Sequence, residues 1–227
     1  LKAYAQFIEK DGITYRLNTL LQFGNSWEHI GNIILANPGS SDIIEKISDD
    51  IDNEISNLYT QFENRVYRRN DWVECKVDST MSMIEKIFDG YYVDNGNTIE
   101  LNGVIQLFNS FNIKNQNLEE AINSLPLDNE LLYSTGIEKY FNNKPTYFGF
   151  TQAVIGNERL KPIATDIFEK SSSEIKSFYK ESFCDNQFYH PMYINKSYKK
   201  NNFDKYKHEV LIPFRNLVMS CIKNDPL

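Results

Sequence analysis

The chain has 227 residues, 24 Lys and Arg against 31 Asp and Glu, a net charge of −7, 41% hydrophobic and 24% charged residues. That composition is globular rather than disordered. Its length suits one domain with a full core, and its charge argues against a protein that coats nucleic acid by electrostatics alone. No apolar run approaches the ~20 residues of a membrane span, and the start shows no signal-peptide pattern. No membrane association is expected, and the native N-terminus is expected upstream of Leu1. Cys75, Cys184 and Cys221 form neither a disulfide framework nor a metal-binding Cys-x-x-Cys pair. Reduced thiols in the cytoplasm are the expectation.

Tyr4, Phe7 and Ile8, the turn pair Asp11-Gly12, and then Tyr15 to Trp27 predict a hairpin that leads to the first central strand. That strand is Ile33-Ile34-Leu35, a short unbroken apolar run of the kind buried on both faces of a parallel sheet. It ends in Ala36-Asn37-Pro38-Gly39. Pro38 cannot continue a central strand and Gly39 permits backbone angles other residues avoid. Ser40, Ser41 and Asp42 are N-cap residues for a helix to follow. The predicted order is strand, tight turn, helix, with Asn37 at the carboxyl end of a strand, where open α/β sheets bind ligands. The turn also has a plain explanation, since Asn, Pro and Gly are what turns use.

Ile43, Ile44, Ile47, Ile51, Ile55, Leu58 and Phe62 recur at helical spacing, with Glu45, Asp49, Asp50, Asp52 and Glu54 on the other face. Arg65, Arg68 and Arg69 beside Tyr67 and Trp72 read either as a phosphate-contacting patch or as cations at a helix C-terminus. Asp78-Ser79-Thr80 reads as a cap, and Met81 to Phe88 as a second helix. Asp94 to Asn97 is a loop or hairpin turn. Ile99 to Phe108 is a second central strand interrupted by Gln106, whose burial costs about 1–3 kcal/mol unless it is paired. Leu118 to Leu125 and Asn129 to Phe141 look helical, and Thr146 to Thr151 is a third strand. Ile163 to Phe183 is read as a long helix, broken or not. Phe188 to Tyr193 is read as a short aromatic strand running into a turn, and His208 to Lys223 as a last helix. The economical fold is a single α/β domain over residues 1–227. It has three layers around a mostly parallel sheet of about four strands, with a helical insert at about 43–75.

Asn37, Gln106 and His190 are polar groups in strand-end contexts, and parallel neighbouring strands would bring them to one sheet edge. Each has a structural explanation of its own: a turn, an edge strand, a packing histidine. Tyr15-Arg16-Leu17 through Trp27, Ile34 to Ser40, Asp78-Ser79-Thr80-Met81, Val104 to Phe108 and His190-Pro191-Met192-Tyr193 occur in an order that resembles an uncharacterised bacterial family. That family has an Arg-containing opening, a Leu-Asn-Pro-Ser-Thr signature, Asp-Pro-Thr, a Val-Val-Asn-Leu-Phe strand and a late His-Pro-Leu-Tyr. Its layout in turn resembles the uracil-DNA glycosylase superfamily. The resemblance covers most of the chain in short motifs, and residues 43–75 are unmatched. Gln106 stands where the family has asparagine, and the first motif carries no aspartate to act as a strong general base.

The resemblance implies a DNA glycosylase, an enzyme that hydrolyses the N-glycosidic bond of a base flipped out of DNA. Asn37 would orient a water and His190 would donate to the base oxygen as charge develops there. Gln106 would read the base, with Pro38, Gly39, Tyr189 and Tyr193 around it. The substrate would be a damaged or modified pyrimidine, and the extra methylene of Gln106 leaves open an enlarged or decorated base such as some phages carry, and from there a role in defence against them. Ser40, Lys196, Lys199 and Lys200 would grip phosphates, and Met192 would be the wedge. The lysines read equally as a solvated face. No metal or other cofactor is implied, and the partner is single- or double-stranded DNA bound by a monomer. Two alternatives stand beside this reading. One is a non-catalytic module that binds a nucleotide or modified base in the same pocket; the other is an interaction domain using the acidic helix.

Overall fold

The computed structural model describes residues 1–39, 41–62, 65, 67–69, 71–126 and 130–224. Strand β1 (Lys2–Lys10) turns through Asp11 and Gly12 into β2 (Ile13–Phe23). Both turn residues have positive φ, 54° and 74°. That is the type I′ geometry whose twist matches the strands it joins, so the hairpin expected from Asp11-Gly12 forms. β3 (His29–Leu35) follows, then β4 (Ile43–Lys46), α1 (Asp49–Tyr59), β5 (Trp72–Cys75) and α2 (Ser79–Phe88). After β6 (Gly103–Asn109) come α3 (Leu118–Asn123), β7 (Thr146–Phe148), α4 (Gln152–Ile155) and α5 (Lys161–Lys170). The chain closes with α6 (Pro191–Lys200), α7 (Asp204–Tyr206), a π turn at Lys207–Leu211 and α8 (Ile212–Asn224).

The strands form one mixed sheet of seven, ordered β4-β5-β1-β2-β6-β3-β7. β3 runs parallel to β6 and β7, and the other pairings are antiparallel. The expectation of about four mostly parallel strands is corrected: the N-terminal hairpin joins the same sheet, and so do two strands from the segment read as a helical insert. The expected helix after Ser41-Asp42 is a strand instead. Ile43 and Ile44 fit a helical stripe in sequence, yet they lie on edge strand β4, 52% and 59% exposed. The helix begins at Asp49, where the Ser48 hydroxyl accepts from the Ile51 amide.

β3 and β6 are buried at every position, which is why Ile33-Ile34-Leu35 reads as an unbroken apolar run and β6 as one interrupted only by Gln106 before its end. Ile33, Leu35, Ile105, Leu107 and Tyr147 face a cluster shared with α2, α6 and α8. Ile34, Phe108 and Phe148 face the opposite cluster with α5, and Leu20 and Val104 pack with α1 on that side. Among the described residues, the helix expected over 129–141 is only the 3-10 turn Ile137–Tyr140. The long helix expected from Ile163 stops at Lys170. No helix among the described residues is long and apolar enough to cross a membrane.

Candidate functional site

At the carboxyl ends of β3 and β7 lies a cavity of about 250 Å³. Loops and helix starts build it. Leu35, Ala36, Asn37 and Gly39 come from the end of β3, Asn115 and Gln116 from the loop after β6, and Thr151 from the end of β7. Asp78 and His190 complete the inner wall, while Met192, Tyr193 and Lys196 stand on α6. A larger hollow of about 920 Å³ runs along residues 169–185. It is lined mainly by serines and carboxylates, with two lysines, Lys180 and Lys176, the latter already donating to the Phe168 carbonyl.

The side chains at the strand ends are held by local chemistry. Asn37 Nδ2 donates to the carbonyls of Asn115 (2.9 Å) and Pro38 (3.0 Å), which ties the β3 loop to the β6 loop. Both amide hydrogens are thereby engaged, and the carbonyl oxygen is the group Asn37 has left to offer. Asp78 is the N-cap of α2; its Oδ1 accepts from the Met81 amide at 2.9 Å. Its Oδ2 comes so close to Gly39 that a Cβ there would sit 3.3 Å away. Gly39 thus allows a close approach of backbone to carboxylate that a Cβ would crowd by a few tenths of an ångström. Thr151 caps α4 and His190 caps α6, with the His190 Nδ1 accepting from the Met192 amide at 3.3 Å. The starts of α2 and α6, both of 10 residues, meet at this cavity, where their dipoles favour negative charge.

Burial pushes the His190 pKa down to about 4, with Asp78 pulling the other way. Its ring is neutral at pH 7. Because Nδ1 accepts, the proton is on Nε2. Arg16 lines the same cavity. Burial lowers its pKa, though a guanidinium stays protonated regardless.

Six of the sequence-predicted residues thus meet in one cavity: Asn37, Gly39, His190, Met192, Tyr193 and Lys196. Pro38 is buried beside it, its carbonyl accepting from Asn37 and from the Asn115 amide. Lys199 and Lys200 lie in the last turn of α6, beyond the cavity mouth. Ser40 falls outside the described residues. Two expectations are corrected. Tyr189 turns away from the cavity and packs edge-on against Tyr206, ring centroids 4.3 Å apart. Gln106 projects to the other face of the sheet: Leu107 lines the cavity, and successive residues of a strand point oppositely.

Gln106 instead belongs to a buried polar network. Its Nε2 donates to Asn32 Oδ1 (3.0 Å) and to the Tyr140 carbonyl (2.8 Å), and its Oε1 accepts from Arg65. Arg65 also donates to Asn18 Oδ1 (2.9 Å) and lies over the ring of Tyr59 at 4.1 Å. Of the alternatives for the arginine patch, neither describes Arg65, which is half-buried among the rings of Tyr59, Phe62 and Tyr140. Arg69 pairs with Asp52 at 3.0 Å.

Sequence reasoning missed Arg16, Asp78 and Thr151 as site residues. Asp78 was legible only as a cap, and capping does not reveal that the second carboxylate oxygen faces a cavity. Arg16 is re-aimed by a bulge. Ala5 pairs with Thr19 and Phe7 with Arg16, so β2 carries one residue more than β1 between these pairs. The extra residue turns Arg16 to the face of Thr19 and Leu21. The chain matches no family model, no curated protein and no solved structure. Among the described residues, no group of three or more His, Cys, Asp or Glu side chains is gathered for a metal.

Proposed function

We propose that this protein is an N-glycosidic bond hydrolase, and within that class a DNA glycosylase with a three-layer, uracil-DNA-glycosylase-like architecture. One observation carries the reading: Asn37 and His190, 153 positions apart in the chain, line one small cavity with Asp78 between helix starts. Its volume of about 250 Å³ falls below the roughly 300–1,000 Å³ of pockets for drug-sized ligands, which suits a small group such as a single base.

In the proposed reaction a water oxygen bonds to the anomeric carbon of the sugar as the bond to the base nitrogen breaks. The Asn37 carbonyl orients that water, and the Asp78 carboxylate takes its proton, a general-base role that the first motif does not supply. The base leaves with the electron pair, and His190 donates its Nε2–H to the base oxygen where charge accumulates. A neutral imidazole suits this role, since it adds no charge of its own before the bond breaks. Met192 and Tyr193, exposed at the mouth on α6, occupy the place of a wedge. The inference of an enlarged base from the length of Gln106 lapses with that residue's position, so base choice belongs to the cavity lining.

Purified protein is expected to release free base from DNA containing uracil or a modified pyrimidine, leaving abasic sites. His190→Ala is expected to lower the rate by about 10²–10³-fold, and Asp78→Asn by about 10²–10⁴-fold. Binding of the same DNA with no base released by wild type, and equally tight in Asn37→Ala, would leave the non-catalytic binding module as the better description.

A further inference from the structure

Arg16 is 2% exposed, and its Nε and Nη1 have no hydrogen-bond partner among the described residues. A guanidinium is the costliest group to bury unpaired, several kcal/mol before compensation, and natural structures avoid doing so. Cys75 and Asp78 lie near enough to favour the charge of Arg16, and among the described residues no carboxylate forms an ion pair with it. The orphaned donors belong to a side chain that lines the cavity, and the β2 bulge is what puts it there. Two further unpartnered polar groups share this face of the sheet. Thr19 Oγ1 pairs in register with cavity-lining Leu107, and the Asn109 carboxamide with cavity-lining Leu35. At the mouth stands Lys196, so two cations face the single carboxylate of Asp78 around a neutral His190.

We propose that Arg16 makes this cavity selective for a ligand that buries an anionic oxygen group, a carboxylate or a phosphate, against the guanidinium. The proposal deepens the glycosylase reading by naming what the substrate carries, and it rests on that reading only in taking the cavity as the ligand site. A carboxylate would be borne by the base, whereas a phosphate would come from the nucleotide backbone. Either supplies what the buried donors lack, and a planar guanidinium matches both geometries.

The test is the unfolding temperature of the full chain with uracil, 5-carboxyuracil or inorganic phosphate, followed by the same titrations on variants. The expected result is that 5-carboxyuracil, phosphate or both raise the wild-type unfolding temperature by several degrees in a saturable way. Uracil at equal concentration does so less. Response to the carboxylated base alone places the anion on the base; response to phosphate alone places it on the backbone. Arg16→Gln is expected to abolish the response. Arg16→Met is expected to unfold, without ligand, at a temperature no lower than wild type, because it removes an uncompensated buried charge. Uracil acting as strongly as the anions, or Arg16→Gln keeping the response, would overturn the proposal. So would failure of both variants to fold, which would make the guanidinium a structural group. Asn37→Ala separates the two readings. It is expected to lose base release and keep the anion response, so each measurement can fail without the other.

Discussion

His190 accepts the Met192 amide at Nδ1 and is held neutral by burial, with its pKa down at about 4. His29 is buried more deeply. Its Nε2 meets the Gly31 carbonyl and Asn32 Oδ1 (2.9 Å), and burial lowers its pKa to about 3. Both folded values lie below the ordinary 6.5, so between those limits the unfolded chain binds more protons than the folded one. Stability from both groups is therefore fully present above about pH 6.5, and it is lost as pH falls through about 4 and then about 3. Asp89 acts in the opposite sense. Burial raises its pKa to about 6, so it takes stability away as pH rises from 3.8 to that value. Denaturant melts from pH 8 to 4 are expected to show stability falling with acid. His29→Gln should flatten the acid limb, since each tenfold difference in proton affinity between folded and unfolded chain is worth about 1.4 kcal/mol. A limb unchanged in His29→Gln would mean that the ring is not held neutral. If His190 is the donor proposed above, base release in the wild type should keep its rate down to about pH 5, because the ring remains neutral there.

α6 shows why an element can be misread while its residues are read well. Phe188, Tyr189 and His190 look like the aromatic run of a strand, and Pro191 looks like the residue that stops one. Proline is equally the favoured first residue of a helix, and His190 supplies the cap. Ser40-Ser41-Asp42 misleads in the reverse direction: good capping residues stand before a strand. The central strands were legible because burial on both faces leaves no other pattern, and the hairpin because Asp11-Gly12 admits one turn. The bulge that aims Arg16 left no sequence signal, since it exists only relative to the partner strand. The helical reading of 191–200 has a consequence for binding. Lys196, Lys199 and Lys200 fall three and four residues apart and are all exposed, so they form one stripe leading away from the cavity mouth. Replacing all three by Gln is expected to weaken DNA binding and reduce the salt slope by up to about 0.9 per lost phosphate contact. Base release at saturating DNA and low salt should change far less. Fluorescence anisotropy across a salt series checks both, and an unchanged slope would return the lysines to a solvated face.

At the scale of the whole molecule, the polar network behind the sheet adds side-chain links to the backbone pairing that joins the parallel strands to β2. Asn32 on β3 donates to Thr146 Oγ1 on β7 (3.1 Å) and to the Phe141 carbonyl (3.0 Å). It accepts from Gln106 on β6, and Gln106 accepts from Arg65, which reaches Asn18 on β2. Four strands are thus linked through one buried chain of amides around a guanidinium stacked over Tyr59 and Tyr140. An amide in a central strand raises the same question whichever face it occupies, and sequence alone cannot say which: a shift of one residue reverses the face. Gln106 lies opposite the cavity, so its role is to satisfy Arg65 and Asn32, and that assignment separates sharply from base reading. Gln106→Ala would leave a half-buried guanidinium and the buried Asn32 amide each short of a partner, a loss of roughly 2–4 kcal/mol. Base release per folded molecule should be unchanged, because nothing facing the cavity has moved. A base-reading glutamine would give the opposite pattern, with stability nearly intact and base release lost. Measuring the urea midpoint and the single-turnover rate on the same preparation distinguishes them, and Arg65→Met with Gln106→Leu should recover part of the lost stability by removing charge and amide together.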